Sequence, residues 1–179
     1  MNSPGDQPHL FLSGYRATGK TTIAGMLAGK LGLQTVDLDA RIVAEAGRPI
    51  AEIFAAEGEA AFRTLETAML GRVVAEENAL VISLGGGTPV AAANRKIIRQ
   101  SGRTVWLTAS AETIHRRMLD DAVSKTQRPG LTDKSPEAEI VELLERRRTF
   151  YEEIADVEIS TETSTPEAIV EQILRWWAK

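Results

Sequence analysis

The chain of 179 residues contains no cysteine. Disulfides, thiolate metal sites and thiol nucleophiles are therefore excluded. Two histidines, His9 and His115, are too few to suggest an imidazole metal cluster, and neither is assigned a role. Basic residues are not in surplus: 21 Lys and Arg stand against 25 Asp and Glu, a formal charge of −4. No block of five like charges occurs, so a nucleic-acid partner is not indicated. The apolar runs fall far short of the roughly 20 residues that span a bilayer, so no membrane partner is expected. Residues 1–8 have neither the basic nor the apolar region of a signal peptide and read as a short disordered lead-in. The expectation is a cytoplasmic protein with one domain over residues 9–179.

One stretch organises what is present. Gly14-Tyr15-Arg16-Ala17-Thr18-Gly19-Lys20-Thr21 reads G-x-x-x-x-G-K-T, the phosphate-binding loop. At average residue usage the pattern arises by chance in roughly 0.6% of chains this long, so a mere glycine-rich turn is the weaker reading. The residues His9 to Ser13 before it, with Leu10, Phe11 and Leu12 at their centre, suggest a short buried strand. Ile23, Met26, Leu27 and Leu31 after it have helical spacing. In that context the backbone from Gly14 through Arg16, Ala17, Thr18 and Gly19 would wrap phosphates at a helix N-terminus. Lys20 would reach the β- and γ-phosphates, the Thr21 hydroxyl would bind Mg²⁺, and Thr22 would follow on the same turn.

Along the chain, strands alternate with helices. Gln34–Asp39, Ala79–Leu84, Arg103–Thr108 and Asp156–Ser160 read as further strands. Helical patterns fall over 40–46, after Arg48-Pro49, over 59–77 beyond an interruption at Gly58, over 91–100, and over 111–119 with Ser110 as cap. Two more run from Pro136 to about 153 and from Pro166, the last carrying Trp176-Trp177 as a packing anchor. Residues 120–135 break the rhythm, as a functional or disordered segment would. This alternation predicts a three-layer α/β/α sandwich around a five-stranded parallel sheet, with 120–135 as a lid and helices over about 40–77 beside the substrate. In such sheets ligands sit beyond the carboxyl ends of the strands. The chemistry-bearing residues fall at those ends.

Asp37 and Asp39 are two apart at a strand end, which places them on one face. One would help hold hydrated Mg²⁺ and the other would bind or activate a substrate hydroxyl. The competing reading is an Asx turn in which Asp39 caps the next helix. Arg63 and Glu66 are at helical pairing distance. They form either a surface ion pair or an arginine aimed at an anionic substrate and held by Glu66. Gly85-Gly86-Gly87 ends a buried strand and reads as a backbone platform for substrate, or as a plain turn. Arg128 in the excursion is either exposed or closes over the phosphates. Arg146, Arg147 and Arg148 are about 100° apart on a helix, so they cannot all face one site.

Taken together, GYRATGKT, VDLDARI, RPIAEIFAAEGEAAFRTLE, SLGGGTPV, QRPGLT and RRRTFYEEIAD resemble shikimate kinase, over residues 9–178. That resemblance implies a P-loop kinase fold, ATP and shikimate as substrates, Mg²⁺ as cofactor and a monomer. The reaction would be transfer of a phosphoryl group to the 3-hydroxyl of shikimate, in chorismate and aromatic amino-acid biosynthesis. It implies Asp37 with Thr21 at the metal, Asp39 on the shikimate hydroxyls as base, and Arg63 on the carboxylate. It further implies Gly85, Gly86 and Gly87 beside the hydroxyls, Arg128 on the ATP phosphates, Arg147 as a second carboxylate ligand and Pro166 near the adenine. Two other readings stand beside it. One is a kinase for another hydroxy acid such as gluconate; the other is a non-catalytic ATP-binding module.

Overall fold

The computed structural model describes residues 8–76, 78–120 and 136–179. Five strands, β1 (His9–Ser13), β2 (Gln34–Asp37), β3 (Leu80–Ser83), β4 (Gly102–Thr108) and β5 (Val157–Ser160), form one parallel sheet in the order β2-β3-β1-β4-β5. Between them run α1 (Lys20–Leu31), α2 (Leu38–Ala46), α3 (Ile50–Val73), α4 (Ala92–Ser101), α5 (Ala111–Asp120) and α6 (Pro136–Ile154). A final helix, α7 (Pro166–Trp177), follows β5. The architecture is the expected α/β/α sandwich.

The layers follow from strand periodicity. Successive side chains point to opposite faces. Phe11 and Ile82 join Leu38, Ile42, Phe62 and Ile98 in one buried cluster. Their neighbours Leu10, Leu12, Val81 and Val105 join Ile23, Leu27 and Ile173 in another. Both faces of the central strands are therefore apolar, as crossover helices on each side require. Tyr15, Ile114 and Ile140 make a third cluster where α5 meets α6.

Local signals account for most boundaries. Gly58 takes φ +80° and interrupts α3, so two helical pieces meet at a kink. Ser110 Oγ accepts from the Thr113 amide and caps α5. Thr165 Oγ1 does the same for Ala168 at the start of α7, with Pro166 in the first turn. Among the boundaries that differ from the sequence reading, one bears on the site. Helix α2 begins at Leu38, two residues earlier than expected, because the Asp37 carboxylate accepts the Ala40 amide and acts as the cap. Asp39 lies inside the first helical turn. The two aspartates are thus related by a strand-to-helix turn, not by strand alternation. The lead-in over residues 1–7 and the lid over 121–135, Arg128 included, lie outside the described residues. Among the described residues, no helix is long and apolar enough to cross a membrane.

A charged clamp joins the β5–α7 loop to α5. The Glu162 carboxylate accepts from Ser110 N–H (2.8 Å), Ser110 Oγ (2.8 Å) and Thr113 Oγ1 (2.5 Å). These bonds, that from Thr113 foremost, lower its pKa to about 2. A depressed carboxylate pKa contributes stability that is complete above the unfolded value near 4.5 and is lost as pH falls towards 2. Glu162→Gln is therefore expected to lower Tm at pH 7 by about 2–4 °C, the shift that about 1 kcal/mol produces in a chain of this size. Thermal melts from pH 7 to pH 3 should show the gap from the parent narrowing below pH 4.5. A gap that stays constant would contradict the assignment.

Candidate active site

The loop between β1 and α1 is shaped by two unusual backbone positions. Ala17 has φ +60°, the one non-glycine residue with positive φ among the described residues, and Gly19 has φ +88°. Such a conformation costs an L-residue on the order of 1–3 kcal/mol and clusters at functional loops. The Tyr15 carbonyl accepts from Lys20 Nζ (2.7 Å) and Thr18 Oγ1 (2.8 Å), which curls the loop over the start of α1. Lys20 is 9% exposed. Thr22 lies on the exposed side of the same turn. Thr21 Oγ1 donates to Asp37 Oδ2 at 2.9 Å, so the two residues expected at the metal are already adjacent. Asp37 uses its other oxygen for the α2 cap.

Beside this loop opens a cavity of about 360 Å³. Asp39, Arg63, Gly86, Gly87 and Arg147 line it, with Phe54 and Phe62 as an apolar wall. The two phenyl rings are 4.7 Å apart. Asp39 comes from α2, Arg63 from α3, the glycines from the end of β3 and Arg147 from α6. The strand-end logic thus brings five of the six residues expected at the substrate to one cavity wall. Gly85 stands immediately behind Asp39.

The triple glycine has three different neighbours. A Cβ on Gly85 would meet Asp39 Oδ1 at 2.5 Å, and one on Gly87 would meet the Arg63 guanidinium at 2.7 Å. Both side chains occupy the space that a Cβ would take. Gly86 faces the phosphate loop: a Cβ on it would lie about 3.5 Å from the Gly14 carbonyl and Arg16 N. Its own carbonyl accepts from Arg147 Nη1 (3.1 Å) and Tyr151 Oη (2.5 Å). Burial pushes the Tyr151 phenol up to about 12, so it remains a neutral donor at ordinary pH. It also stacks on Trp106, with centroids 5.6 Å apart.

Arg63 is held from both sides along α3. Its Nη1 donates to Glu66 at 2.8 Å, and its Nε and Nη2 reach Glu59 at 3.3 and 3.2 Å. Glu66 is 1% exposed. It also accepts from Thr88 Oγ1 at 2.8 Å and, distantly, from Asn94 Nδ2 at 3.5 Å. Burial raises its pKa despite the opposing effect of Arg63. A raised carboxyl pKa means that ionised Glu66 costs folding free energy at neutral pH. The pair therefore fixes the direction of Arg63 instead of stabilising the fold.

The arginine triplet resolves unequally. Arg147 reaches Gly86, and Arg146 also lines the cavity. Arg148 turns outward, pairs with Glu152 at 2.8 Å and is 64% exposed. Arg16, expected at the nucleotide, extends along the cavity that Asp39 and Arg63 share. Its Nε is buried with no hydrogen-bond partner among the described residues, and its guanidinium lies 5.6 Å from the Tyr15 ring centroid. Pro166 is exposed at the head of α7. The sequence reading overlooked Arg117. Its Nη1 donates to the Ala17 carbonyl of the loop at 3.3 Å and to Thr161 Oγ1 at 2.9 Å, and its Nη2 donates to Thr161 O at 2.5 Å. Nothing in its local sequence marks that role, because its partners lie 100 and 44 residues away.

Comparison with known proteins gives this geometry a family. The family model for shikimate kinase matches residues 16–178. A shikimate kinase of Rhodopirellula baltica is 43% identical over 176 residues, spanning 98% of this chain and 94% of that protein. Among solved structures, shikimate kinase from Acinetobacter baumannii in complex with shikimate superposes with a TM-score of 0.88 at 33% identity, covering 96% of this chain and 93% of that one. A gluconokinase from Sinorhizobium meliloti has a TM-score of 0.57 at 16% identity, with 99% and 94% covered, which shows a common fold alone. With residues 16–178 matched and a curated relative aligned over nearly its whole length, this chain belongs to the shikimate kinase family.

Proposed function

We propose that the chain transfers the γ-phosphoryl group of ATP to the 3-hydroxyl of shikimate, giving shikimate 3-phosphate and ADP. The observation that carries this reading is that Asp39, Arg63 and Arg147 line one cavity together with Tyr15 and Arg16 of the phosphate loop. A ring acid with one carboxylate and neighbouring hydroxyls matches that arrangement of charges. Arginine binds carboxylates through a rigid fork, so Arg63 and Arg147 hold the acid end. Asp39 then meets the hydroxyls at the other end.

Phosphoryl transfer needs positioning and charge neutralisation more than covalent chemistry. Asp39 orients the attacking hydroxyl and accepts its proton. Lys20 neutralises the transferring phosphates, and loop amides from Gly14 to Gly19 cradle them. Arg128, which lies outside the described residues, is assigned to neutralising the same phosphates. Pro166 lies against the adenine, at the head of α7. Residues 9–179 act as one catalytic domain, with α2 and α3 as the acceptor-side helices.

Thr21 and Asp37 suit Mg²⁺. The ion is typically held by one or two protein oxygens plus phosphate and water, so an adjacent hydroxyl and carboxylate form a sufficient donor set. When bound, Mg²⁺ supplies charge neutralisation to the β- and γ-phosphate oxygens.

An ADP-release assay with shikimate, quinate and gluconate as acceptors tests the reading. Shikimate should be preferred by at least about 100-fold in kcat/KM, as expected when acceptors mismatch a hydrogen-bonding site. Preference for gluconate would overturn it, and ATP binding without transfer to any acceptor would favour a binding module. Asp39→Asn is expected to lower kcat by about 10²- to 10⁴-fold, the usual contribution of a general base. ADP affinity, measured by calorimetry, should stay unchanged. Near-parental turnover in that variant would remove Asp39 from the mechanism. Arg63→Ala should raise the KM for shikimate roughly 30-fold or more, the loss of about 2 kcal/mol expected on truncating a charged pair. An unchanged KM would mean that Arg63 serves Glu66 alone.

A further inference from the structure

The nucleotide side of the fold contains a relay to which the proposed chemistry assigns no part. Thr161 and Glu162 follow β5 directly and grip α5 at two places. Glu162 holds the start of the helix through Ser110 and Thr113. Thr161 receives Arg117 from the same helix, one turn beyond Thr113. Arg117 in turn donates to the carbonyl of Ala17, the residue with positive φ in the phosphate loop. Thr161 is fixed by its own bonds to the Thr108 carbonyl at the end of β4, from N–H at 2.8 Å and from Oγ1 at 3.0 Å. A continuous set of short polar contacts therefore runs from Glu162 through α5 to the loop.

We infer that Glu162 is a positioning residue for nucleotide binding: by locking the first turn of α5 it sets Arg117 against Ala17 and holds the phosphate loop in shape. The inference rests on the phosphate-loop reading given above. A capping carboxylate with a purely structural role would need only the helix amide. Glu162 instead ties the helix to the loop segment that Arg117 also grips. Loss of the clamp frees α5 to rotate about its far end. The Ala17 carbonyl then loses the donor that offsets its strained turn.

The test uses the full chain and ADP as the probe, titrated calorimetrically well below Tm. Glu162→Gln and Glu162→Ala should weaken ADP by about 3- to 30-fold, the range of coupling carried by contacting networks. The KM for shikimate at saturating ATP should be unchanged. Ile169→Val, a core change on α7 remote from the clamp, supplies a variant with a comparable loss of Tm and should bind ADP like the parent. In an Arg117→Gln background the further effect of Glu162→Gln should disappear, because both residues act through one path. Parental ADP affinity in both Glu162 variants would overturn the inference. So would equal weakening by Ile169→Val, or full additivity with Arg117→Gln. ADP binding needs no acceptor, so a chain that binds ADP but ignores shikimate would overturn only the acceptor assignment. A parent that does not bind ADP would overturn the phosphate-loop reading and this inference with it.

Discussion

A parallel sheet covered by helices on both faces leaves little room for polar side chains along its central strands. Leu10, Phe11, Leu12, Val81, Ile82, Val105 and Leu107 are fully buried. The polar groups of the site therefore gather beyond the strand ends, and in a parallel sheet the carboxyl ends all point the same way. The loop after β1, the capped turn after β2 and the glycines after β3 emerge side by side for this reason alone. Site and core are thus two consequences of one pattern. The same constraint places Thr108 and Thr161, at the ends of β4 and β5, within reach of the phosphate loop through Arg117.

Within that frame the buried Glu66 is the costliest element. It sits in the protein interior with a pKa raised by desolvation, and it spends its oxygens on Arg63, Thr88 and Asn94. A well-packed apolar residue would stabilise the fold more. What Glu66 provides is direction. It ties the arginine on α3 to the turn after the triple glycine, so Arg63 and the glycines move as one body. Gly87 completes this by leaving the guanidinium the volume of its absent Cβ.

Much of this was legible in the sequence, because it depends on short-range pattern. The G-x-x-x-x-G-K-T spacing, the alternation of strands and helices, the break at Gly58, the cap at Ser110 and the helix start at Pro166 are all local signals. What was not legible depends on side-chain direction or on distant contacts. Asp37 rather than Asp39 caps α2, because the turn begins two residues earlier than the hydrophobic period suggests. Arg16 belongs by spacing to the phosphate loop, and it also lines the cavity that Asp39 and Arg63 share. Arg147 separates from Arg148 only through packing of α6 against Gly86, which a helical wheel alone does not fix. Arg117 and Glu162 find their partners across 44 to 100 residues of chain, with no motif to announce them.

Two arginines of the cavity are held by partners of different charge. Arg63 is bound to carboxylates, Glu59 and Glu66. Arg147 donates to a backbone carbonyl, that of Gly86. Hydrogen bonds between two charged groups are about twice as strong as those between neutral ones. A neutral carbonyl is accordingly the easier partner to replace when a phosphate or carboxylate arrives. Arg63 keeps its fixed direction through such an exchange, because its anionic partners stay in place. Arg147 can trade its carbonyl for an anion with little loss. That carbonyl lies at a junction, where Gly86 faces the Gly14 carbonyl and the backbone of Tyr15 and Arg16. Movement of Arg147 therefore disturbs the seam shared by the two halves of the site. On the proposed assignment, occupation of one half alters the partners available in the other, so the two substrates are expected to sense each other through this seam rather than through direct contact alone.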